Sequence, residues 1–367
     1  MKKVRIGVLG AGFMGRARLE CYASDPRVEV TAISSRELSK AKALADEFGV
    51  PFATAHWEEV VASDNVDAVD ITLPNFLHYP AALACIERGK PFMIEKPLAR
   101  NVAEGEEIVR KARERGILAV YAECLRFAPA CVKAKALIDE GALGRLTIMR
   151  ANEIHNGPFH SGWFWDAEKA GGGALIDMGI HGVFLLEWFA GSPITKVYAE
   201  MGTLKWTEHC QNGAEDTSVA VLRFENGAVA ELVNSWAVQG GLDVRLEVFG
   251  TEGTVFIDQG RGANGMKVFS QKGYGADPAV EASLRPHVAP TKGWSFPFAD
   301  EWGTHGHLQE IRHFVDCLTG GATPACTLEE GLAGLYVIDA LYRSARSGVP
   351  VEVKRSPLAR RMGQAAL

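Results

Sequence analysis

The sequence predicts an α/β domain with a doubly wound parallel sheet, followed by an α+β domain with a large, mostly antiparallel open sheet. The chain has 367 residues, more than a single hydrophobic core usually supports, so two domains are expected. In its first third, strand-like and helix-like segments alternate at short intervals, which is typical of βαβ units. After residue 123 strands follow one another, separated by turn signals. We therefore expect a first domain over residues 1–123, a second over 124–355 and a tail over 356–367.

Each element of the first domain follows from an apolar pattern and from the residues that end it. Gly49 and Gly116 come directly after two helical patterns, where glycine commonly closes a helix. The strand-like segments are residues 4–9, 28–33, 66–72, 91–94 and 117–122, and the helix-like segments are about 14–24, 37–48, 80–88 and 102–115. Strands joined through helices are expected to pair in parallel.

Two hairpins characterise the second domain. Residues 217–224 and 228–235 flank Glu225-Asn226-Gly227, and Asn-Gly favours a tight turn. Residues 244–249 and 254–258 flank a second glycine-containing turn. The remaining segments are an apolar, buried helix over about 174–189, Gly- and Pro-rich surface loops over 259–300 and an amphipathic helix over 328–347.

Composition excludes several classes of protein. Lys and Arg number 39 against 45 Asp and Glu, a net charge of −6 without the basic surface of nucleic-acid binders. The 7 cysteines form no CxxC pair and are expected to be reduced thiols in a cytoplasmic protein. No stretch approaches the roughly 18 apolar residues that span a bilayer. We expect a protein that binds neither nucleic acid nor membrane.

A glycine-rich motif follows the first strand and opens a helix. Gly10, Gly12 and Gly15, with Phe13 and Met14 between them, match GxGxxG. In this context backbone N–H groups and the helix N-terminus can hold the pyrophosphate of a dinucleotide, as in Rossmann domains. The alternative is a tight turn in a sheet that binds no cofactor.

The end of the second strand bears on the choice of nicotinamide cofactor. An acidic residue there binds the ribose hydroxyls of NAD, whereas this chain has Ser34-Ser35-Arg36. Hydroxyls and a guanidinium can donate to a 2′-phosphate. NADP(H) is favoured and NAD(H) is possible, because Arg36 as a solvated residue or stacked on adenine would leave either cofactor acceptable.

Three ionisable residues form the predicted catalytic set. Lys96, in Glu95-Lys96-Pro97, ends a buried strand at the carboxyl edge of the sheet, where it can polarise a substrate oxygen; the alternative is a lysine paired with Glu95. Asp177 and His181 are four residues apart on the apolar helix and so share one face. His181 is the expected general acid or base and Asp177 orients the substrate, or the two form a structural hydrogen bond.

Together these motifs resemble the Gfo/Idh/MocA oxidoreductase family, which includes glucose–fructose oxidoreductase and inositol dehydrogenase. The matching residues are Gly10 to Gly15, Pro74-Asn75 with His78, Glu95-Lys96-Pro97, Arg126-Phe127 with Pro129, and the glycine run leading to Asp177 and His181. The resemblance implies that Lys96, Asp177 and His181 are catalytic. It also implies cofactor contacts from Leu73, Pro74, Asn75, His78, Glu95, Lys96 and Arg126.

The same resemblance implies a sugar, cyclitol or related polyol as substrate and a homodimer or homotetramer formed through the open sheet. Cys124 and Phe164 depart from residues common in the family (Asn and Arg), which leaves the substrate open. Lys96, Asp177 and His181 are also the expected substrate contacts, joined by four further candidates: Glu153, His155, Trp163 and Trp165. The two tryptophans are equally compatible with a packing role.

No metal is expected. His305, His307 and His313 have no cluster of carboxylates or thiols at ligand spacing. The sequence thus predicts an NAD(P)-dependent dehydrogenase or reductase that acts on CH–OH groups. The alternatives are an NAD-dependent enzyme that cleaves glycosides by transient oxidation and elimination, and a non-catalytic NAD(P)-binding regulator.

Overall fold

The computed structural model describes residues 3–239, 242–260, 268–271, 293–295 and 300–359. The chain divides into two compact units, one formed by residues 1–128 with 306–332 and the other by residues 129–305 with the chain from 333 onward. The expected loops over 259–300 lie mostly outside the described residues. Within that range β13 (Val268–Ser270) pairs with β14 (Gly293–Ser295).

The first unit is built on a parallel sheet of six strands. They are β1 (Val4–Leu9), β2 (Val28–Ser34), β3 (Phe52–Thr54), β4 (Ala68–Ile71), β5 (Phe92–Glu95) and β6 (Ala119–Ala122). Their order is β3-β2-β1-β4-β5-β6, and every pairing is parallel. The order reverses at β1, and doubly wound sheets bind ligands at the carboxyl ends of strands at such a point.

Helices connect the strands of this sheet. They are α1 (Phe13–Ala23), α2 (Leu38–Phe48), α3 (Trp57–Ala62), α4 (Asn75–Glu87) and α5 (Val102–Arg115). Gly49 and Gly116 adopt the left-handed conformation after α2 and α5, as predicted. The Asn101 side chain caps α5 by accepting from the Glu104 N–H at 3.0 Å.

The start predicted for α4 was wrong. The prediction placed Pro80 in the first helical turn, yet the helix begins five residues earlier, at Asn75, and contains Pro80. Proline there removes one hydrogen bond, to the Phe76 carbonyl. The four apolar residues that follow on the buried face are Ala81, Ala82, Cys85 and Ile86. The packing of these four residues outweighs the preference of proline for the first turn of a helix.

The second unit contains a mixed sheet of seven strands. They are β7 (Leu146–Ile154), β8 (Ile194–Gly202), β9 (Thr217–Phe224), β10 (Val229–Ser235), β11 (Asp243–Gly250), β12 (Thr254–Asp258) and β15 (Val351–Glu352), in the order β12-β11-β7-β10-β9-β8-β15. Only β7 and β10 pair in parallel. Both predicted hairpins, β9–β10 and β11–β12, are confirmed.

The helices of the second unit include α6 (Pro129–Asp139), α7 (Ala167–Ala170), α8 (Ile180–Ala190) and α9 (Glu301–Thr304). Helix α8 packs on β7 and β10 of this sheet, and α6 contacts β12. Two later helices are α10 (His307–Leu318), in the first unit, and α11 (Leu328–Ser347), which continues from the first unit into the second. Along β9 exposed and buried residues alternate, so the other face of the sheet is open as far as the described residues show.

The apolar helix of the second unit differs from its prediction at the start. Its first turn, Leu175–Gly179, is a π-helix and only Ile180–Ala190 is α-helical. The run Ala167–Ala190 is long and apolar enough to span a membrane by composition, contrary to expectation, but 94% of its most apolar window is buried inside the protein. A core helix has this property.

Candidate active site

The glycine loop at the end of β1 has a different requirement at each glycine. Gly10 has φ of 111°, and a Cβ there would lie 2.6 Å from the Thr72 carbonyl oxygen. A Cβ on Gly15 would lie 2.0 Å from the Gly10 carbonyl oxygen. A Cβ on Gly12 would have no heavy atom of the described residues within 4 Å. This is the pattern of a loop whose first and third glycines permit close packing and whose second lets a pyrophosphate approach.

Alanine at two of these glycines should therefore have different effects. Gly15→Ala should lower the free energy of unfolding by about 3 kcal/mol, because the loop backbone must move to accept the methyl group. Gly12→Ala should unfold like the wild type but bind NADPH at least about tenfold more weakly, because its methyl group occupies the approach to the pyrophosphate. Urea unfolding and fluorescence titration measure the two effects. Equal destabilisation by both variants would contradict this assignment.

The three residues at the end of β2 become more exposed to solvent from the first to the third. Ser34 is 1% exposed, and its Oγ has no hydrogen-bond partner among the described residues. Ser35 is half-buried and Arg36 is exposed. Glu37, the nearest carboxylate in sequence, pairs with Lys40 at 2.9 Å. The strand end thus presents hydroxyls and a guanidinium.

The loop after β4 is tied to the loop after β5 by His78. Its Nδ1 lies 2.8 Å from the Pro97 carbonyl oxygen and its Nε2 lies 2.8 Å from that of Leu73. Burial lowers the pKa of His78, and a neutral imidazole donates to one of these carbonyls at a time. Both nitrogens face backbone, which favours a supporting role, and a direct cofactor contact by His78 stays a prediction. Pro74 is half-buried and Asn75 is buried beside it.

The catalytic candidate of the first unit follows β5 directly. Lys96 is half-buried and precedes a cis peptide bond to Pro97. Glu95 is 8% exposed and forms an ion pair with the buried Arg18 of α1. Arg126, in a short 3₁₀ helix after β6, is half-buried.

The two catalytic candidates of the second unit lie at the junction of the π-turn and α8. Asp177 and His181 are each 6% exposed, and every other residue from Ile180 to Phe189 is buried as well. The indole Nε1–H of Trp236, a fully buried residue, donates to Asp177 Oδ2 at 3.2 Å. π-Turns occur often at functional sites, and this one carries Asp177.

A buried glutamate holds the start of this helix. Glu215 accepts from the Leu175 N–H at 2.8 Å, the Gly173 N–H at 3.1 Å and the Tyr342 hydroxyl at 3.2 Å. Burial raises the pKa of its carboxyl to about 7. Glu215 therefore anchors the backbone directly before Asp177.

The predicted substrate contacts of the second unit fall into two groups. Glu153 and Trp163 are half-buried, and Trp163 stacks on Phe164 with ring centroids 3.8 Å apart. His155 is 1% exposed, and its Nδ1 accepts from the Gly157 N–H at 2.9 Å. Trp165 is 5% exposed and packs on Trp236 with centroids 5.1 Å apart. These contacts favour packing roles for His155 and Trp165, and their substrate contacts stay predictions.

Sequence reasoning missed four residues that support the candidates. They are Arg18, Glu310, Glu215 and Trp236. Arg18 could have been noticed in the sequence, because it is a single arginine among the apolar residues of a helix face that is otherwise buried. The partners of the other three come from distant segments of the chain and left no local pattern.

The first unit fits a dinucleotide by geometry as well as by motif. The space beside Gly12, which a side chain at that position would occupy, is open. The hydroxyl of Ser34 is buried and has no hydrogen-bond partner among the described residues. Both lie at the carboxyl edge of the sheet, beside the reversal of strand order. Fold and site define a nicotinamide-dependent oxidoreductase with a Rossmann domain.

The chain belongs to the Gfo/Idh/MocA family. Residues 4–122 match the model of the oxidoreductase family with an NAD-binding Rossmann fold, and residues 131–256 match that of the GFO/IDH/MocA C-terminal domain. The resemblance inferred from the motifs is confirmed.

Three similar proteins cover nearly the whole chain. GenD2 from gentamicin A biosynthesis, solved in complex with NAD, is 30% identical with a TM-score of 0.88 over 97% of each chain. The scyllo-inositol 2-dehydrogenase (NAD(+)) of Bacillus subtilis is 28% identical over 96% of this chain and 98% of its own. The D-xylose 1-dehydrogenase (NADP(+)) 2 of Haloferax volcanii is 27% identical over 95% and 99%.

Proposed function

We propose that this protein is an NAD(P)-dependent dehydrogenase or reductase that acts on a hydroxyl or carbonyl carbon of a sugar, cyclitol or related polyol. The observation that carries the proposal is the pair Asp177 and His181. Each is 6% exposed in a helical run whose only other buried ionisable residue among those described, Glu187, pairs with Arg355, and buried ionisable groups are costly unless they are paired or used. Relatives with the same architecture are named as dehydrogenases of an inositol and of xylose.

The protein's own residues supply the proton chemistry. A bound nicotinamide accepts or donates the hydride. In the oxidative direction His181 takes the hydroxyl proton of the substrate as the carbinol carbon becomes a carbonyl carbon. Lys96 polarises the substrate oxygen, and Asp177, held by the Trp236 indole, accepts a hydrogen bond from the substrate and orients it. Glu153 and Trp163 are the further substrate contacts we propose.

A panel of polyols and sugars, incubated with NAD⁺ and NADP⁺, tests the activity. Net formation of reduced cofactor with at least one polyol supports the dehydrogenase. Cleavage of a glycoside without net cofactor reduction would replace it by the oxidation–elimination chemistry. Binding of cofactor with neither reaction across the panel would favour the non-catalytic regulator.

We also propose that NADP(H) is the favoured cofactor and that Arg36 recognises its 2′-phosphate. Arg36 is exposed, no described residue pairs with it, and Ser34 and Ser35 add two hydroxyls. An Arg–phosphate contact is charge-assisted and frequently bidentate. The neighbouring carboxylate, on Glu37, is engaged by Lys40.

Arg36→Ala should weaken NADPH binding at least about tenfold and change NADH binding less than about threefold. Fluorescence titration with each reduced cofactor measures both. Arg88→Ala, which removes an exposed arginine after α4, is the matched control and should change neither. An equal loss of affinity for both cofactors would place Arg36 on the adenosine that they share.

The open face of the seven-stranded sheet is our proposed interface for a homodimer or homotetramer. Ile148 is 47% exposed, Val221 55% and Phe256 70%. Arg150 bridges Glu231 and Glu247 across three strands of the same face. A broad face with exposed apolar side chains is typical of a surface that a second copy covers, and light scattering of the purified protein measures the assembly.

Seven free cysteines support a cytoplasmic location.

A further inference from the structure

A single guanidinium at the centre of the first unit contacts three carboxylates. Arg18 of α1 is 1% exposed. Its Nη1 lies 2.6 Å from Glu310 Oε2, its Nε lies 3.5 Å from Asp70 Oδ2, and its Nη2 bonds Glu95 Oε1. Asp70, on β4, and Glu310, on α10, have no exposed surface. One buried cation thus joins four elements of the unit.

Two carboxyl groups of the cluster have raised pKa values. Burial raises the pKa of Glu310; Arg18 opposes this shift, while the charges of Glu95 and Glu123 add to it. Burial also raises the pKa of Asp70 to about 6, and the Tyr22 hydroxyl donates to Asp70 Oδ2 at 2.9 Å. Arg18 therefore offsets only part of the cost of burying Glu310 and Asp70.

The cluster matters for the proposed active site because of where Arg18 and Glu95 lie in the chain. Arg18 lies on the helix that begins after the glycine loop at Gly12. Glu95 directly precedes Lys96 at the end of β5. The contact from Arg18 Nη2 to Glu95 Oε1 ties the end of β5 to α1, and it therefore limits the directions in which Lys96 can leave the sheet.

We propose that Arg18 is a positioning residue: it fixes Glu95 against the cofactor helix and so sets the placement of the Lys96 amine. The proposal rests on the dehydrogenase function proposed above. Lysine cannot replace Arg18, because a compact ammonium lacks the planar fork that holds several carboxylates at once. A displacement of the order of 1 Å at a catalytic group lowers turnover by up to about a hundredfold.

The test compares Arg18→Lys with Glu310→Gln in the full-length protein. Glu310→Gln alters another partner of the same guanidinium but leaves Arg18 and Glu95 themselves unchanged, so it is the control for disturbance of the cluster. Two quantities are measured: kcat and KM with the polyol and cofactor of the wild type, and the acetylation rate of Lys96 by mass spectrometry. Lys90, which precedes β5 and donates to the Val66 carbonyl at 2.9 Å, is the internal reference.

Arg18→Lys should lower kcat at least about tenfold at saturating substrate and change the Lys96 acetylation rate at least about threefold relative to Lys90. Glu310→Gln should leave both within about twofold. If Arg18→Lys does not fold, the double variant Arg18→Lys with Glu310→Gln takes its place. An unchanged Lys96 rate, or equal effects of Arg18→Lys and Glu310→Gln, overturns the proposal.

The acetylation rate separates this proposal from the proposed function. It reports the placement of Lys96 even if the wild type oxidises no polyol, which would defeat the dehydrogenase alone. An active wild type whose Lys96 rate and kcat do not respond to Arg18→Lys would defeat the positioning role alone.

Discussion

His181→Asn is expected to lower kcat by about a hundredfold to ten-thousandfold, the range over which a positioned general acid or base accelerates proton transfer. The substitution removes the proposed acceptor of the hydroxyl proton and leaves a polar side chain of similar size. KM for the cofactor should stay within about threefold, because the loss falls on the transition state and not on ground-state binding. Steady-state kinetics with the polyol identified in the panel measures both quantities.

His313→Asn is the matched control for this variant. His313 accepts from the Ala325 N–H at 2.9 Å through its Nε2 and lies in the first unit. Its replacement removes a structural hydrogen bond, so thermal stability should fall while kcat is kept. Retention of more than about a third of kcat by His181→Asn would remove His181 from the proton-transfer step.

Much of the first unit could be predicted from the sequence because its signals are local, although β3, α3 and α10 were missed. Apolar strands alternate with helices that end at Gly49 and Gly116, and both glycines adopt the left-handed conformation that the prediction required. The glycine loop was predicted for the same reason. What it lacked was the reason for each glycine, which for Gly10 depends on Thr72, the residue that follows β4.

The second unit and the supporting contacts were harder because their causes are not local. Strands β7 and β8 were missed, and the apolar run before α8 does not distinguish a π-turn from an α-helix. Arg18 and Glu310 are 292 residues apart in sequence, and Asp177 and Trp236 are 59 apart. Tertiary folding brings such partners together, so an isolated sequence shows the catalytic candidates but not what holds them.

Gly173→Ala is expected to lower the free energy of unfolding by about 3 kcal/mol or more, because overpacking against a rigid backbone has no inexpensive relief. A Cβ on Gly173 would lie 2.0 Å from the Glu215 carbonyl oxygen and 2.5 Å from the Glu215 nitrogen. The Ala174 N–H also donates to that carbonyl oxygen, at 2.8 Å. The segment before β9 and the start of the helix are therefore locked together at this point.

The same substitution should reduce turnover of the protein that remains folded. Relief of the clash moves Gly173 away from Glu215, and the π-turn that carries Asp177 begins two residues later, at Leu175. Urea unfolding gives the stability, and kcat under fully native conditions gives the effect on the site. Gly162→Ala, where an added Cβ meets no heavy atom of the described residues within 4 Å, should change the free energy of unfolding by less than about 1 kcal/mol. If Gly173→Ala is as stable as Gly162→Ala, the glycine run serves the helix in some way other than close approach to Glu215.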